Sequence, residues 1–259
     1  MPVRSLAAAL VALSVGAGVT ASDPAGAQTK AGPCVAINKD RITCGSRPGA
    51  LTVLDGTTSP SGKLAIAWRS RSGGTEEVPA DIDSVENHLV RLEDGKSLAL
   101  VVGRSWRTGD AQGNHIYQTV AWSPDSSWLL VGDGGKWALE AIAIYSIDAG
   151  ATAAKGLGLF RAISTAAARV LRERVGASKV GSYTLDIAGD QKIEIANTGV
   201  ASIPMLFQIP KQEMDIDLLV RFKASRTGRT PSSHSACATP SPSVLMLSRP
   251  QSTNAIARG

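Results

Sequence analysis

The chain has 259 residues and a net charge of +5 at neutral pH, from 27 basic and 22 acidic side chains. Hydrophobic residues make up 43% of it and aromatic residues only 4%, a composition typical of an ordinary soluble protein with few aromatic anchors. Beyond the first thirty residues no apolar run is long enough to span a bilayer, so we expect no membrane contact after the N-terminal segment.

Residues 1–27 have the pattern of a secretory signal peptide. Arg4 is the only charge before the apolar run "SLAAALVALSVGAGVTA", which is short for a membrane span. Ala25 and Ala27 supply the small residues that a signal peptidase needs. We expect cleavage after Ala27 and a periplasmic or secreted protein; an uncleaved membrane anchor is the alternative.

Cys34 and Cys44 bracket a short hairpin pattern. Val35 and Ile37 alternate with polar neighbours, "NKD" is a turn signal, and Ile42 returns to the apolar pattern. Because the two ends of such a hairpin meet, we expect a Cys34–Cys44 disulfide after export.

Cys237 lies in a Ser- and Pro-rich stretch, and we expect it to stay unpaired. A metal site would need several Cys or His residues at close spacing. His88, His115 and His234 are far apart in the sequence, so we assign no metal ligand.

The stretch "LLVGDGGKW" permits a phosphate-binding interpretation, which fails on spacing. A Walker-type loop needs four residues between its first glycine and the Gly-Lys pair, followed by Ser or Thr. Gly132 and Gly134 are too close to Lys136, and Trp137 has no hydroxyl for a magnesium ion. We therefore expect no nucleotide and no other cofactor.

A strand, a tight turn and a strand are predicted by "YQTVAWSPDSSWLLVG", and "EAIAIYSIDAG" adds a third strand, with Ile142 and Ile144 on one face. This stretch resembles the TolB-type, WD40-like β-propeller repeat, whose blades carry an "SPDG" turn and an "IYxxD" strand. The matching residues are Trp122, Ser123, Pro124, Asp125, Leu129, Leu130, Ile144, Tyr145 and Asp148. Ser126 stands where the repeat usually has glycine. The resemblance implies that these residues build a blade and carry no chemistry.

A second partial copy precedes it in "TTSPSGKLAIAWRS". Ser59 and Ser123 begin the two turns and lie 64 positions apart, longer than a regular blade repeat of about 40–50 residues. We expect loops at 70–84 and 104–115 to account for the extra length. Residues 28–150 are thus predicted to form a β-rich, propeller-like domain.

Apolar residues recur at helical spacing over 153–175, with Gly176 as the C-cap. We expect this helix to pack on a sheet; lying on a membrane is the alternative, disfavoured because alanine dominates its apolar face. "SYTLDIAGDQKIEIAN" predicts a hairpin with a "GD" turn, and the alternation of 214–222 predicts a further strand. Residues 151–224 form this second unit.

Residues 225–259 lack periodicity and are predicted to be a disordered basic tail. No acidic residue follows Asp217, and six basic residues do. Such a tail could contact an anionic surface, but no aromatic residue follows Phe222 to stack on bases, so we expect no nucleic-acid partner.

Few residues suit hydrolysis. Ser178 lacks a nucleophile-elbow motif, and His88 and His115 are the only candidates for a base, each better explained as closing a loop. Asp81, Asp83 and Glu86 could form paired carboxylates but belong to a Pro-containing loop. No catalytic residue is assigned.

The sequence therefore predicts an α+β, mainly β protein: propeller-like antiparallel sheets with one long amphipathic helix, and not a complete propeller. We expect an exported, non-catalytic binding or envelope-associated protein. Its partner would be an envelope protein or a small ligand at loops 70–84 and 104–115. A periplasmic hydrolase with an unrecognised active site is the alternative. Because the helix can cover the open sheet face, we expect a monomer; completion of that face by a second copy or a partner is the alternative.

Overall fold

A computed structural model of the chain describes residues 32–38, 41–46, 49–71, 82–106, 117–136, 138–176, 183–189, 192–209, 214–224 and 243–248. These residues form three antiparallel sheets and one α-helix, which confirms the predicted fold class. Within the described ranges the sheets close into neither a barrel nor a propeller.

The first sheet has six strands in chain order: β1 (Cys34–Asn38), β2 (Arg41–Cys44), β3 (Leu51–Val53), β4 (Leu64–Ser70), β5 (Val85–Arg91) and β6 (Ser97–Val101). The predicted hairpin is confirmed, because Cys34 pairs with Cys44 in register and the two form a disulfide. The N–H of Cys34 also donates to the carbonyl of Leu92, at 3.2 Å. The hairpin thus folds back over the sheet and encloses a small cluster of Cys44, Leu51, Val53, Ala65, Ala67 and Val90.

The second sheet is a middle layer with strand order β10-β9-β8-β7. Its strands are β7 (Tyr117–Trp122), β8 (Trp128–Gly134), β9 (Leu139–Ile147) and β10 (Ala154–Gly158). Every residue of β8 is buried. Leu129 and Val131 share a core with the first sheet, while Leu130 belongs to the core on the other side. The second sheet is therefore buried on both of its faces, between two hydrophobic cores.

The helix α1 spans Phe160–Val175 and starts later than the sequence predicts. The residues before it form β10, because Gly156 and Gly158 are poor helix formers and pair well with β9. Leu159, Ile163, Ala167 and Leu171 are fully buried on one stripe, between the second and third sheets. The predicted C-cap is confirmed: Gly176 has φ +87° and donates its N–H to the carbonyl of Arg172.

The third sheet contains β11 (Thr184–Ile187), β12 (Glu194–Ile195), β13 (Val200–Ile209), β14 (Met214–Lys223) and β15 (Ser243–Ser248). The hairpin predicted between β11 and β12 is wrong, because both strands pair with β13 instead. Ala188 donates its N–H to the carbonyl of Pro204. The proline nitrogen faces the same side, so the break between β11 and β12 lies where β13 has no donor.

The tail prediction is wrong for residues Ser243–Ser248. They form β15, which pairs antiparallel with β14 over six positions and places Leu247 opposite Leu219. A strand edge with unpaired backbone groups on β14 offers a partner that local sequence patterns do not show. The other residues of 225–259 lie outside the described ranges.

Three turns of the same form lie at one end of the three sheets: Ser59–Gly62, Ser123–Ser126 and Ala196–Gly199. In each, the N–H of the last residue donates to the carbonyl of the first at 2.9 Å. The last residues have φ of +67°, +61° and +77°, the left-handed region that favours glycine. The third turn was missed in the sequence because "ANTG" contains no Ser-Pro pair.

The three turns bind one another side by side. The N–H of Ser61 donates to Oγ of Ser126 at 3.0 Å. The N–H of Asp125 donates to Oδ1 of Asn197 at 3.1 Å, and Nε1 of Trp128 donates to the carbonyl of Asn197 at 3.2 Å. We call this end of the molecule the turn end and the opposite end the loop end.

Candidate functional site

The two loops expected to bind a partner, 70–84 and 104–115, leave the sheets at the loop end. Most of their residues, 72–81 and 107–115, lie outside the described ranges. The residues at their bases are described, and they show how the two loops begin and end relative to each other.

Arg104 joins the bases of the two loops. Its guanidinium donates to Oδ1 of Asp83, at the end of the first loop, at 3.0 Å. The same group donates to Oε2 of Glu140, on β9, at 2.6 Å. All three side chains are at least 37% exposed, so the ion pairs contribute little stability. These ion pairs hold the end of the first loop next to the start of the second loop on the protein surface.

A set of polar residues, the inter-sheet polar cluster, lies beneath this spot and consists of Asn87, Gly103, Ser105, Gln118 and Asp133. Asn87 exchanges two hydrogen bonds with the backbone of Ser105, at 2.6 and 2.9 Å, and accepts a third from Nε2 of Gln118 at 3.1 Å. Gly103 has φ +122°, and a Cβ there would lie 2.5 Å from Nε2 of Gln118. Glycine is therefore required where the backbone enters this cluster.

Asp133 is the unusual member of the cluster. It is 4% exposed, and its Oδ1 has no hydrogen-bond partner within the described ranges. Burial raises the pKa of this carboxyl; the backbone N–H and the charge of Arg104 act against the rise, and the charge of Glu140 adds to it. A buried carboxylate with an unsatisfied oxygen lowers the stability of the folded protein, so Asp133 destabilises the region beneath the loop bases.

The second and third sheets are also joined at the loop end. The hydroxyl of Tyr117 donates to Oδ1 of Asp186, and burial together with this carboxylate raises the pKa of the tyrosine strongly. Gly134 lies against the Tyr117 ring, where a Cβ would approach within 2.1 Å. Gly132 packs similarly against Ile187. The glycines of the discarded phosphate-loop interpretation therefore have packing roles in β8.

His88 contacts a serine that the sequence gave no reason to name. Nδ1 of His88 lies 2.9 Å from Oγ of Ser97, an exposed residue of β6. A bulge in the β5–β6 pairing brings Ser97 opposite Val90 and so onto the His88 face. Nε2 of His88 lies 3.5 Å from Oε2 of Glu86. The order serine, histidine, carboxylate is that of a hydrolase triad.

The charges around His88 do not favour its action as a general base. Burial and the charge of Arg69 lower the pKa of His88 to about 4, although Glu86 opposes them. Burial acts to raise the pKa of Glu86, but hydrogen bonds from Arg69 at 3.1 Å and Arg71 at 2.8 Å outweigh it, and the pKa is lowered. The carboxylate is thus committed to two guanidinium groups, and the imidazole is neutral and weakly basic at pH 7.

The remaining candidates from the sequence are not brought together. Asp83 pairs with Arg104 and Glu86 with Arg69, so these two carboxylates do not share a site. Asp81, His115, Ser178 and Cys237 lie outside the described ranges.

Within the described part of the chain, no group of three or more His, Cys, Asp or Glu residues is arranged to hold a metal ion. Among the same residues, no helix has the length and apolarity required to cross a membrane.

Comparison of the chain with protein-family models, with curated proteins and with solved structures found no match. The resemblance to the TolB-type repeat therefore rests on the turn and strand motifs alone.

Proposed function

We propose that the protein is an exported, non-catalytic binding or envelope-associated protein that recognises its partner at the loop end. The observation that supports this proposal is the placement of Arg104 between Asp83 and Glu140. These contacts place the base of loop 70–84 beside the base of loop 104–115, on two sheets that pack together. Loops presented together on a rigid scaffold are a common arrangement for recognition.

The disulfide supports the exported location, because such bonds persist in oxidising compartments. The inter-sheet polar cluster supports the binding role, because its hydrogen bonds hold the loop bases in one geometry. Because the loop bases are already held in place, less binding free energy is lost in ordering them when the partner binds.

The test is capture of envelope components by the purified protein, produced from the complete sequence. In one variant, residues 108–114 are replaced by a Gly-Ser linker of equal length. A matched control replaces Lys155 by Ala, an exposed residue of β10 away from the loop bases. We expect a captured species that is lost with the linker variant and kept with the control. Capture that is unchanged by the linker would contradict a binding surface at the loop end.

A hydrolase remains the second candidate, and the 2.9 Å contact between Ser97 and His88 is the observation in its favour. An activated serine reacts with a fluorophosphonate, which labels the nucleophile covalently. Because His88 is a weak base here, we expect no labelling above that of a Ser97→Ala variant. Labelling at Ser97 that disappears in His88→Gln would favour the hydrolase over the binding protein.

A further inference from the structure

Asp133 places a carboxyl group between the first and second sheets. It lies on β8, and the alternation of the strand gives it the same face as Leu129 and Val131, which share a core with the first sheet. The residue is 4% exposed, and its Oδ1 has no hydrogen-bond partner within the described ranges. None of the salt bridges among the described residues includes Asp133.

The basic group whose charge acts on Asp133 is bonded to other carboxylates. The guanidinium of Arg104 donates to Oδ1 of Asp83 at 3.0 Å and to Oε2 of Glu140 at 2.6 Å. Asp133 receives the backbone N–H of Arg104, and the charge of Glu140 acts on it unfavourably. Three carboxyl groups therefore surround one guanidinium. The buried one is the least well compensated, and buried charges are normally paired or coordinate a cation.

The polar atoms beside Asp133 include further oxygens. A Cβ on Gly103 would lie 2.5 Å from Nε2 of Gln118 and 2.8 Å from Oδ1 of Asn87. It would lie 3.3 Å from Oδ1 of Asp133, so the three side chains converge beside one point of the backbone. The Gln118 amide donates to Oδ1 of Asn87 at 3.1 Å and to the carbonyl of Val102 at 3.5 Å. Its N–H groups are thus directed at neutral oxygens, and Oδ1 of Asp133 is left without a donor.

We propose that Asp133 and the neutral oxygens of the inter-sheet polar cluster bind a small monovalent cation, of the class of sodium, potassium or ammonium. Carboxylate, amide and carbonyl oxygens are the groups that such hard cations prefer. One carboxylate balances one positive charge, whereas a divalent ion would leave an uncompensated charge in a buried site. Because Asp133 is 4% exposed, the site selects an ion without bulky substituents.

The bound cation joins three strands beneath the loop bases, because Asn87 belongs to β5, Gln118 to β7 and Asp133 to β8. It offsets the unfavourable burial of the carboxylate and so stabilises the contact between the first and second sheets. The site uses no residue of 72–81 or 107–115, so it does not depend on the partner proposed for the loop end. The spacing of Cys and His in the sequence does not indicate this site, because an aspartate and two amides on three strands form no local pattern.

The first test compares urea unfolding in the chlorides of sodium, potassium, ammonium and tetramethylammonium at equal ionic strength, which holds screening constant. Tetramethylammonium has the same charge but is too bulky for a buried site. We expect at least one small cation to lower the unfolding equilibrium constant about tenfold relative to tetramethylammonium, at about ten times its dissociation constant. Asp133→Asn should lose this difference, and the exposed Asp55→Asn control should keep it. A response to ammonium alone would identify an amine, rather than a metal ion, as the bound group.

A second measurement uses the folded protein alone. The NMR line of the most effective cation should broaden in the presence of the original chain or Asp55→Asn, and much less with Asp133→Asn. Equal stability of the original chain in all four salts would overturn the proposal and leave an ordered water as the partner of Oδ1. An effect of the small cations, or a line broadening, that persists unchanged in Asp133→Asn would overturn it as well, because the cation would then bind elsewhere.

Discussion

The N–H of Ser61, in the first turn, donates to the hydroxyl oxygen of Ser126 in the second turn, 65 positions further along the chain. Ser126 is 5% exposed and has φ +61°, a conformation in which a non-glycine residue is strained. The usual glycine of this turn would remove the strain but also the acceptor. Serine at this position therefore combines a strained backbone with a hydrogen bond that joins the first and second sheets.

Substitutions at Ser126 separate these two effects. Ser126→Ala keeps the strain and loses the acceptor, so we expect the free energy of unfolding to fall by about 1–2 kcal/mol. Ser126→Gly loses the acceptor but relieves the strain, and we expect it to be about 1 kcal/mol more stable than the alanine variant. Urea unfolding of both measures this, with Thr58→Ala at an exposed neighbouring position as the control. An alanine variant as stable as the glycine variant would show that the left-handed conformation is not strained.

Above the folded-state pKa of this carboxyl, Asp133→Asn should stabilise the protein by about 1–2 kcal/mol, because it removes a buried charge with an unsatisfied oxygen. The amide keeps an oxygen that can accept from the Arg104 backbone. A raised folded-state pKa means that the folded protein binds a proton more tightly than the unfolded chain. This carboxyl therefore adds stability as the pH falls through its folded pKa. Denaturation over a pH series that ends below 3.8, the ordinary pKa of this carboxyl, should show that gain in the original chain and not in Asp133→Asn, relative to an exposed Asp55→Asn control.

His88 has the opposite pH dependence. Its pKa is lowered from 6.5 to about 4 in the folded protein, so protonation favours unfolding. Its contribution is complete above pH 6.5 and is lost as the pH falls from about 6.5 to 4, by up to about 3 kcal/mol. A His88→Gln variant should lose less stability over that interval in thermal or urea unfolding. Equal losses in the variant and the original chain would mean that the imidazole becomes charged without cost.

The disulfide should hold the folded-back hairpin in place. Replacing Cys34 and Cys44 together by serine should lower the free energy of unfolding by about 2–3 kcal/mol, as expected for a short closed loop. Urea unfolding of the double variant measures the loss, and reduction of the original chain should reproduce it. Mass mapping of the non-reduced protein should recover the Cys34–Cys44 peptide and a free thiol at Cys237. A bridged Cys237 would contradict the assignment.

The sequence by itself determined the elements whose pattern is local. The hairpin between Cys34 and Cys44 follows from a turn signal and two cysteines that its own strands bring into register. The turn at Ser123 follows from a proline that presets φ and a neighbouring Asp125 that bonds the turn. The strand over 214–223 follows from strict alternation. In each case the deciding contacts lie within about ten residues of one another.

Tertiary structure alone decided the relationships between distant segments. Nothing near Glu194 indicates that it pairs with β13 rather than with β11, because its partner Ser202 belongs to a separate strand of the sheet. The contact between His88 and Ser97 depends on a bulge, and a one-residue shift of register moves a side chain to the other face. The ion pairs of Arg104 join three segments that come together only when the sheets stack. Local propensities determine where strands and turns form. Which strands pair and which sheets stack is determined by the burial of both sheet faces, and that burial depends on the whole chain.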